Sequence, residues 1–408
     1  MVSEPTQIPT AAPRAPLRLQ GVPGDAETPH MSSRLVGVGR GRGRAIAAVA
    51  IAGMLVGGAM VFAFLASRET PAPGTMVPFA SIYHDPLSKL DVALTGGDGH
   101  AFAVIAQDPT LSRPSVLREP SEFAYRAQRP VWGYLTWAAS VGQSRFTGWT
   151  LVVLVILSCG AACAVVGQLL AERGRSPWWS LIVPFAGFET LTEMTPELFA
   201  LALVGAGVLL WQRDRRLLAV AVFCVAVLTR ETVLVAVTGL MLWDLVHATG
   251  NTRARVGRVV PLALPLLVYG AWIAFLRVRL GNWPFNHSGE RLSFPGVGLA
   301  HGLQVTQDAS AIVFWVVVAV LLCVAAVWYS PRDVLTWIAL SYLGFATLLG
   351  TDVWVTNAGF QRALLPLYVF AAVGALSLGR ADQINDWSKK PTVMIMPTTT
   401  QATNSATW

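Results

Sequence analysis

The sequence predicts an all-α protein, a polytopic transmembrane helical bundle of about ten spans with a large extracytoplasmic first loop. Of the 408 residues, 54% are hydrophobic and only 13% are charged, about half the charged share of a typical soluble domain. The apolar residues fall in long runs, and basic residues cluster in alternate connections between them. This composition argues against a water-soluble multidomain enzyme, and the blocks of apolar residues exclude a disordered or fibrous chain.

Ten apolar runs are the candidate spans. A helix needs about 20 apolar residues to cross the hydrocarbon core of a bilayer. Most of the runs come near that length, whereas the third to sixth are short and either use polar ends or pair as re-entrant hairpins. Eight spans is therefore the alternative count. The runs are 45–66, 147–171, 177–188, 198–212, 217–229, 232–243, 259–276, 309–330, 334–351 and 363–379.

The basic residues predict the orientation of the bundle. Basic residues precede the first run and follow the second, fourth, sixth, eighth and tenth runs. The cluster after the fourth run, for example, is Arg213, Arg215 and Arg216. Short cytoplasmic connections of membrane proteins are enriched in Lys and Arg. We therefore expect a multi-pass protein of the cell membrane with both termini cytoplasmic. The net charge of +7 then belongs to the cytoplasmic rim, and no nucleic-acid partner is expected.

Three regions follow from this pattern. Residues 1–44 form a leader that we expect to be disordered and cytoplasmic, because they show little apolar patterning. Residues 45–380 form the transmembrane domain, which includes an extracytoplasmic loop at 67–146. Residues 381–408 form a second disordered cytoplasmic tail.

The first loop contains two candidate amphipathic helices. One follows a glycine turn at Asp98 and ends at Asp108-Pro109, because the residue before a proline disfavours helix. The second covers 122–141 and carries aromatic residues such as Phe123 and Trp132, which are typical of the membrane interface. We expect both helices to lie on the bilayer surface and to cover the bundle.

Asp98 has two interpretations that do not exclude each other. As an N-cap, its carboxylate would accept a hydrogen bond from a free backbone N–H of the helix. As a functional residue at the membrane face, the same carboxylate would act as a general base toward a hydroxyl acceptor.

Further charges stand beside apolar runs, where carboxylates and guanidinium groups are costly unless they serve a function. Glu197 is interpreted as part of a helix start after Thr195-Pro196. Arg230 and Glu231 are either a structural ion pair or ligand contacts. The others of this kind are Glu189, Glu193 and Arg362. Five arginines of the first loop (Arg113, Arg118, Arg126, Arg129 and Arg145) are interpreted mainly as contacts to lipid headgroups.

Several catalytic signatures are absent from the sequence. It contains no GxxxxGK[ST], HExxH, GxSxG or CxxC pattern, so ATP-driven transport, zinc proteolysis and lipase-type hydrolysis have no support. All four cysteines lie in apolar runs and are interpreted as buried packing thiols.

The layout resembles the GT-C superfamily of membrane glycosyltransferases. These enzymes begin with one span, continue with a large extracytoplasmic loop, and carry an acidic residue before a loop helix in a pattern like D-x-x-x-Y/F-A-x-I-A-x-D/E. The segment from Asp98 to Asp108 is similar to that pattern, as are Arg230-Glu231 after a short span and the run that Arg362 opens at the last span. Gly99 stands where many relatives carry a second acidic residue. The metal ligands are therefore unknown, and a divalent cation is a candidate cofactor without assigned ligands.

The resemblance implies a cell-envelope enzyme that transfers a sugar from a polyprenyl-phosphate donor to an extracytoplasmic acceptor (lipid, glycan or protein) with inversion. Asp98 would accept the acceptor's proton, and Arg230 and Arg362 would stabilise the departing phosphate. Asp108 and Glu189 would position the acceptor or a divalent cation. His100, Glu193 and Glu231 complete the expected substrate-binding set.

The alternative is a multi-pass transporter or lipid-linked-sugar flippase, in which Arg230, Glu231 and Glu189 would line a substrate path. A non-catalytic scaffold in an envelope-assembly complex is a third possibility. Charges at the outer ends of spans, rather than at the middle of the membrane, favour the transferase.

Overall fold

The computed structural model describes residues 31–69, 88–95, 97–112, 120–247, 251–287, 292–307 and 309–377. Within these ranges the chain is helical and has no strand, apart from one bridge between Leu292 and Leu349. The all-α class is therefore confirmed. The chain divides into two units, Met1–Arg42 and Gly43–Trp408, and the second contains all the helices from α2 onward. The tail at 381–408 and the leader up to residue 30 lie outside the described residues, and residues 31–44 of the predicted leader are helical.

The α-helices in chain order are α1 (Met31–Ser67), α2 (Lys89–Thr95), α3 (Gly99–Gln107), α4 (Pro120–Ala127), α5 (Pro130–Ala139), α6 (Ser144–Glu172), α7 (Val183–Ala186), α8 (Phe188–Glu193), α9 (Glu197–Gln212), α10 (Arg216–Thr229), α11 (Val233–His247), α12 (Thr252–Val259), α13 (Leu264–Leu280), α14 (Val297–Val305), α15 (Ala309–Tyr329), α16 (Val334–Thr347), α17 (Thr351–Val355) and α18 (Asn357–Leu376). Short 3₁₀ helices cover Pro177–Ile182, Val260–Ala263 and Pro284–His287.

Five helical segments of the described chain are long and apolar enough to cross a membrane. They are Gly41–Ser67, Ser144–Glu172, Arg255–Leu280, Ala309–Tyr329 and Gly359–Leu376. The helices α9, α10, α11 and α16 are also apolar but have only 14 to 16 residues. At 1.5 Å per residue these four are about 21 to 24 Å long, which is less than the roughly 30 Å of a hydrocarbon core. The fold is that of a membrane protein.

Much of the apolar surface of the long helices is exposed. Only 22% of the most apolar window of α15 is buried, although its mean hydropathy is 2.9. Large apolar side chains such as Leu55, Val278 and Trp328 stay exposed. Contiguous apolar surface of this extent is rare on soluble monomers and is typical of a lipid-facing surface.

Small residues allow α1 and α6 to pack closely. A Cβ atom added to Gly160 would lie 2.4 Å from Cγ of Met54, and one added to Gly53 would lie 2.6 Å from Sγ of Cys163. Cys159 donates its thiol hydrogen to the Gly53 carbonyl at 3.3 Å. Small residues at such crossings let helix backbones approach, because lipid offers no hydrophobic driving force between helices. Both cysteines are free and buried, which agrees with their interpretation as packing thiols.

One end of the bundle gathers basic residues from several connections. Arg173, just after α6, forms a two-pronged ion pair with Asp333 before α16, with N···O distances of 2.6 and 2.7 Å. Arg175 donates a hydrogen bond to the Leu376 carbonyl at the end of α18. Arg213 after α9 pairs with Glu172 at 2.5 Å. The ends of α6, α9 and α18 and the start of α16 therefore lie close together.

The predicted loop helix at 122–141 is two helices instead of one. Pro130 has no backbone N–H, so α4 cannot continue through it and ends at Ala127. Pro130 is instead the first residue of α5. Phe123 and Trp132 are fully buried, and the Trp132 indole donates to the Met194 carbonyl at 3.1 Å. In α3, all residues from Gly99 to Ala106 are buried. The expectation of helices lying on the bilayer surface is wrong for α3 and for these two aromatic residues, because they pack inside the protein.

Candidate functional site

Asp98 lies between α2 and α3, at the N-cap position of α3, but its side chain makes no capping hydrogen bond. Its two oxygens accept from two arginines instead. Arg126 Nη1 lies 2.5 Å from Oδ1, and Arg362 Nη1 donates to Oδ2 at 2.9 Å. The N-cap interpretation of this carboxylate is therefore wrong.

The two arginines control the protonation of Asp98. Burial raises the pKa of Asp98, but the positive charges of Arg126 and Arg362 outweigh burial and hold the pKa well below its ordinary range. In this arrangement Asp98 is an ionised carboxylate and a weak base.

Arg362 also holds a second carboxylate. Its Nη1 atom lies 2.5 Å from Oε2 of Glu193, at the end of α8. Burial is the largest influence on Glu193 and raises its pKa to about 7, helped by the negative charge of Asp98 and opposed by Arg362. One guanidinium nitrogen therefore serves two carboxylates, and Glu193 is the one that titrates near neutral pH.

Arg230 and Glu231 do not form an ion pair with each other, because they turn to different partners. Arg230 Nη1 lies 2.6 Å from Oε1 of Glu197, whose residue is only 3% exposed. Glu197 begins α9, as its interpretation as a helix start predicted within one residue, but its carboxylate also belongs to this cluster.

Glu231 accepts from both prongs of Arg129. The Nε and Nη2 atoms of Arg129 lie 2.7 and 2.6 Å from the two carboxylate oxygens, and Nη2 also donates to the Tyr125 hydroxyl at 3.0 Å. Burial raises the pKa of Glu231, but the charge of Arg129 outweighs it and lowers the pKa to about 2. Both oxygens of Glu231 are therefore paired with the same arginine.

These side chains form one charged cluster, with four arginines and four carboxylates in balance. Its members are Arg126, Arg129, Arg230, Arg362, Asp98, Glu193, Glu197 and Glu231. A small cavity of about 10 Å³, enough for roughly one water molecule, is lined by Glu197, Arg230 and Arg362 together with Thr232, Tyr342 and apolar side chains. A larger ligand must therefore displace some of these ion pairs. Buried ion pairs are weak evidence of stabilisation and are candidates for a functional role.

Three of the predicted site residues lie outside the cluster. Asp108 is at the opposite end of α3, about 15 Å from Asp98 by helix rise, where it accepts from the Thr110 and Ser112 hydroxyls at 2.8 and 2.9 Å. Glu189 forms no ion pair with any residue in the described part of the chain. His100 is buried on α3, and its Nδ1 atom is 2.7 Å from the Gly97 carbonyl oxygen.

Sequence reasoning missed three members of the cluster. Arg126 and Arg129 were expected at lipid headgroups, but both are buried against carboxylates. Their spacing of three residues at a helix end, directly before Pro130 and beside Phe123, is the signal that could have placed them inward. Glu197 was assigned only a structural role. Arg145 is exposed and donates to Gln143, and Arg113 and Arg118 lie outside the described residues.

The donor set does not fit a resident metal ion. Across the described ranges, no three His, Cys, Asp or Glu side chains come together as possible ligands. The oxygens of Asp98 and Glu193 point to guanidinium groups, which are not compatible with a shared cation at the same place.

The chemistry of the cluster suits an anion, because the phosphate of a ligand can replace a carboxylate as the hydrogen-bond partner of an arginine. The cluster can also accept a proton, because each displaced carboxylate becomes more basic. Comparisons with known proteins add no relative to this geometry: no family model, no curated protein and no solved structure matches the chain.

Proposed function

We propose that the protein is a glycosyltransferase that moves a sugar from a polyprenyl-phosphate donor to an extracytoplasmic acceptor with inversion. The observation that carries this proposal is the double ion pair of Asp98 with Arg126 and Arg362. In this arrangement the candidate base, Asp98, contacts two arginines that are candidates to bind the donor phosphate. The resemblance of the segment from Asp98 to Asp108 to GT-C glycosyltransferases supports the same reaction class.

The proposed membrane arrangement has ten crossings, with the charged cluster at the outer face. The five long helical segments account for half of them. The other five are the segment 177–188 and the shorter helices α9, α10, α11 and α16. Support comes from the two groups of ion pairs. Arg173, Arg213 and Asp333 mark one end of the bundle and the cluster marks the other, with apolar helix between them. We assign the first end to the cytoplasm, because its short connections carry the unbalanced basic residues of the sequence, such as Arg213, Arg215 and Arg216.

In the proposed reaction, the donor phosphate takes over the hydrogen bonds of Arg362, while Arg126 stays paired with Asp98. Asp98 then loses one of its two positive partners, and its pKa rises because burial is less strongly opposed. A hydroxyl of the acceptor attacks the anomeric carbon, and its proton passes to Asp98. A new carbon–oxygen bond forms to the acceptor as the bond to the phosphate oxygen breaks. The electron pair leaves with the phosphate, which the arginines stabilise in a dry site.

This arrangement supports enzymatic transfer over transport. A transporter or flippase needs polar groups along a path through the membrane. In the five long apolar segments, charged side chains lie near the ends, and the middle portions of α6, α15 and the shorter α9 carry none. Glu189, which a transport path was expected to use, forms no ion pair in the part of the chain that the structure describes.

The proposal is tested by supplying membranes that contain the protein with a polyprenyl-phosphate sugar labelled in the sugar. We expect release of polyprenyl phosphate and labelling of an acceptor. Asp98→Asn keeps the shape of the side chain, and we expect it to reduce turnover by at least about a hundredfold, the usual scale for a lost general base. Asp91→Asn is the matched control, because Asp91 on α2 bonds only to Ser88.

Two results would contradict the proposal. Full turnover by the Asp98→Asn variant would remove Asp98 as the base. Movement of a lipid-linked sugar across proteoliposomes containing the protein, without any covalent product, would favour the flippase.

A further inference from the structure

Arg362 is the only arginine of the charged cluster, within the described residues, that pairs with two carboxylates through one nitrogen atom. A donor phosphate that binds this guanidinium competes with both Asp98 and Glu193. The empty cluster is balanced, with four positive and four negative side chains. Adding a singly charged phosphate diester leaves a surplus negative charge in a buried place, which is unfavourable unless a proton or cation enters with it.

We infer that Glu193 takes up one proton when the donor phosphate binds, and so releases Arg362 to the phosphate. This inference rests on the proposed function, because it concerns the same anion. It makes Glu193 a positioning residue: it holds Arg362 in place in the empty site and becomes neutral in the loaded one. The proton comes from solvent, and no bond other than this O–H bond forms in the step.

The geometry selects Glu193 among the four carboxylates of the cluster. Glu231 is held by two prongs of Arg129, and Glu197 is almost fully buried beside Arg230. Asp98 has a second arginine, Arg126, that continues to hold its charge. Glu193 has Arg362 as its one arginine partner among the described residues, besides a hydrogen bond from the Asp98 backbone, and 21% of its side chain is exposed, so that a proton can reach it. Its pKa of about 7 agrees with this choice.

Charged groups on the neighbouring elements do not offer Glu193 another partner. α8 packs against α2, α6, α7 and α18. On α18 the facing group is Arg362, and the nearby negative charges are Asp98 and Glu197. α7 carries no charged residue. The remaining charged side chains bind elsewhere: Lys89 to the Ala66 carbonyl, Asp91 to Ser88, Arg145 to Gln143 and Glu172 to Arg213.

The test measures binding of a prenyl phosphate diester, methyl farnesyl phosphate, to the purified full-length protein in lipid nanodiscs. A diester carries one negative charge throughout the range from about pH 5.5 to about pH 8.5, so the ligand itself does not titrate. If one proton enters on binding, the affinity is constant below about pH 7 and falls about tenfold per pH unit above it.

The variant Glu193→Gln tests whether the proton taken up on binding goes to Glu193 and not to another group. A glutamine has no charge to lose, so we expect the affinity of this variant to be independent of pH and to match the wild-type affinity at low pH. Asp352→Asn is the matched control, because Asp352 is an exposed carboxylate on α17 outside the cluster. It should keep the wild-type dependence on pH.

A second measurement needs no variant. Calorimetric binding in two buffers with different enthalpies of ionisation reports proton uptake directly, and we expect close to one proton per ligand at about pH 8. Binding without proton uptake, or a pH dependence that persists in Glu193→Gln, would overturn this inference and leave the proposed function standing. No binding of the diester at any pH would instead count against the proposed function.

Discussion

Arg362 donates to Asp98 across 264 residues of sequence, at an Nη1–Oδ2 distance of 2.9 Å. The same nitrogen lies 2.5 Å from Glu193. Three segments that are far apart in the chain, the turn before α3, the end of α8 and the first part of α18, are therefore joined at one guanidinium group. Together with Arg126, this connection keeps Asp98 ionised, and it makes Arg362 the residue through which a bound anion would act on Asp98.

The first prediction concerns the shape of the Arg362 side chain. Arg362→Lys retains a positive charge but lacks the planar fork of donors, so it cannot hold phosphate and Asp98 in the same geometry. We expect turnover in the labelled-sugar assay to fall about tenfold to a hundredfold, with a still larger fall for Arg362→Gln.

Equal activity of the lysine variant and the wild type would contradict this role for the fork. Arg145→Lys serves as the control, because Arg145 is exposed and contacts its near neighbours Gln143 and Phe146, outside the cluster.

The second prediction concerns the stability that the Arg129–Glu231 pair provides. Glu231→Gln leaves the charge of Arg129, which is only 2% exposed, without its partner. Breaking a buried pair in this way costs about 3 to 5 kcal/mol. We expect a clear fall in the heat-unfolding midpoint of the protein in detergent micelles.

Replacing both members of the pair, as Arg129→Met with Glu231→Met, removes both buried charges. We expect the double variant to be more stable than Glu231→Gln alone. A double variant that is less stable than Glu231→Gln would contradict this expectation and show that the pair itself contributes net stability.

The third prediction is a dependence of stability on pH. The folded-state pKa of Glu231 is about 2, below the ordinary value of 4.5. A lowered pKa means that the stabilisation is present above about pH 4.5 and is lost as the pH falls toward 2, by up to about 3 kcal/mol. The unfolding free energy of the wild type should therefore fall more steeply in this interval than that of Glu231→Gln. Parallel curves for the two proteins would contradict the assignment.

The fourth prediction concerns the close approach of α3 to the end of α8. A Cβ atom added to Gly99 would lie 2.7 Å from the Glu193 carbonyl oxygen, so Gly99→Ala must move the backbone beside Asp98. We expect it to lower turnover at least tenfold and to destabilise the protein by about 1 to 3 kcal/mol.

Gly344→Ala is the matched control, because nothing lies within 4 Å of the added atom on α16 and alanine favours helix over glycine. It should leave turnover unchanged. If Gly99→Ala behaved like this control, the contact between Gly99 and Glu193 would be without consequence.

The fifth prediction tests the proposed orientation. Trp137 and Arg332 are exposed near opposite ends of the bundle, and a cysteine at either position is open to a maleimide reagent. In intact cells, a membrane-impermeant maleimide should label Trp137→Cys. It should label Arg332→Cys only after the membrane is permeabilised. Cys224, the one cysteine in the described chain that is not buried, is replaced by serine in both variants. Labelling of Arg332→Cys in intact cells would contradict the orientation.

Much of the helical fold could be predicted from the sequence, because long apolar runs and their polar ends are local properties. The start of α9 next to Thr195-Pro196 was predicted within one residue, and Asp108 ends α3 as expected. The surface position was predicted wrongly for α3 and for Phe123 and Trp132, since aromatic residues suit both a membrane interface and a protein interior. Phe123 and Trp132 could be assigned only by knowing what packs against them.

The candidate site shows the same division. The sequence singled out Asp98, Glu193, Arg230, Glu231 and Arg362, because a charge beside an apolar run is costly. It did not show which charge meets which. Arg230 and Glu231 are neighbours in the chain, yet they pair with Glu197 and Arg129.

By itself, the sequence determined that this chain is a bundle of apolar helices with its charges near their ends. Hydropathy and charge are properties of single residues and short windows, and they need no knowledge of neighbours. Only the tertiary structure decided that Arg126, Arg129 and Glu197 belong with Asp98, and that Asp108 and Glu189 do not pair there. An ion pair depends on distances of about 3 Å between side chains, and the packing of α3, α4, α8, α9 and α18 sets those distances.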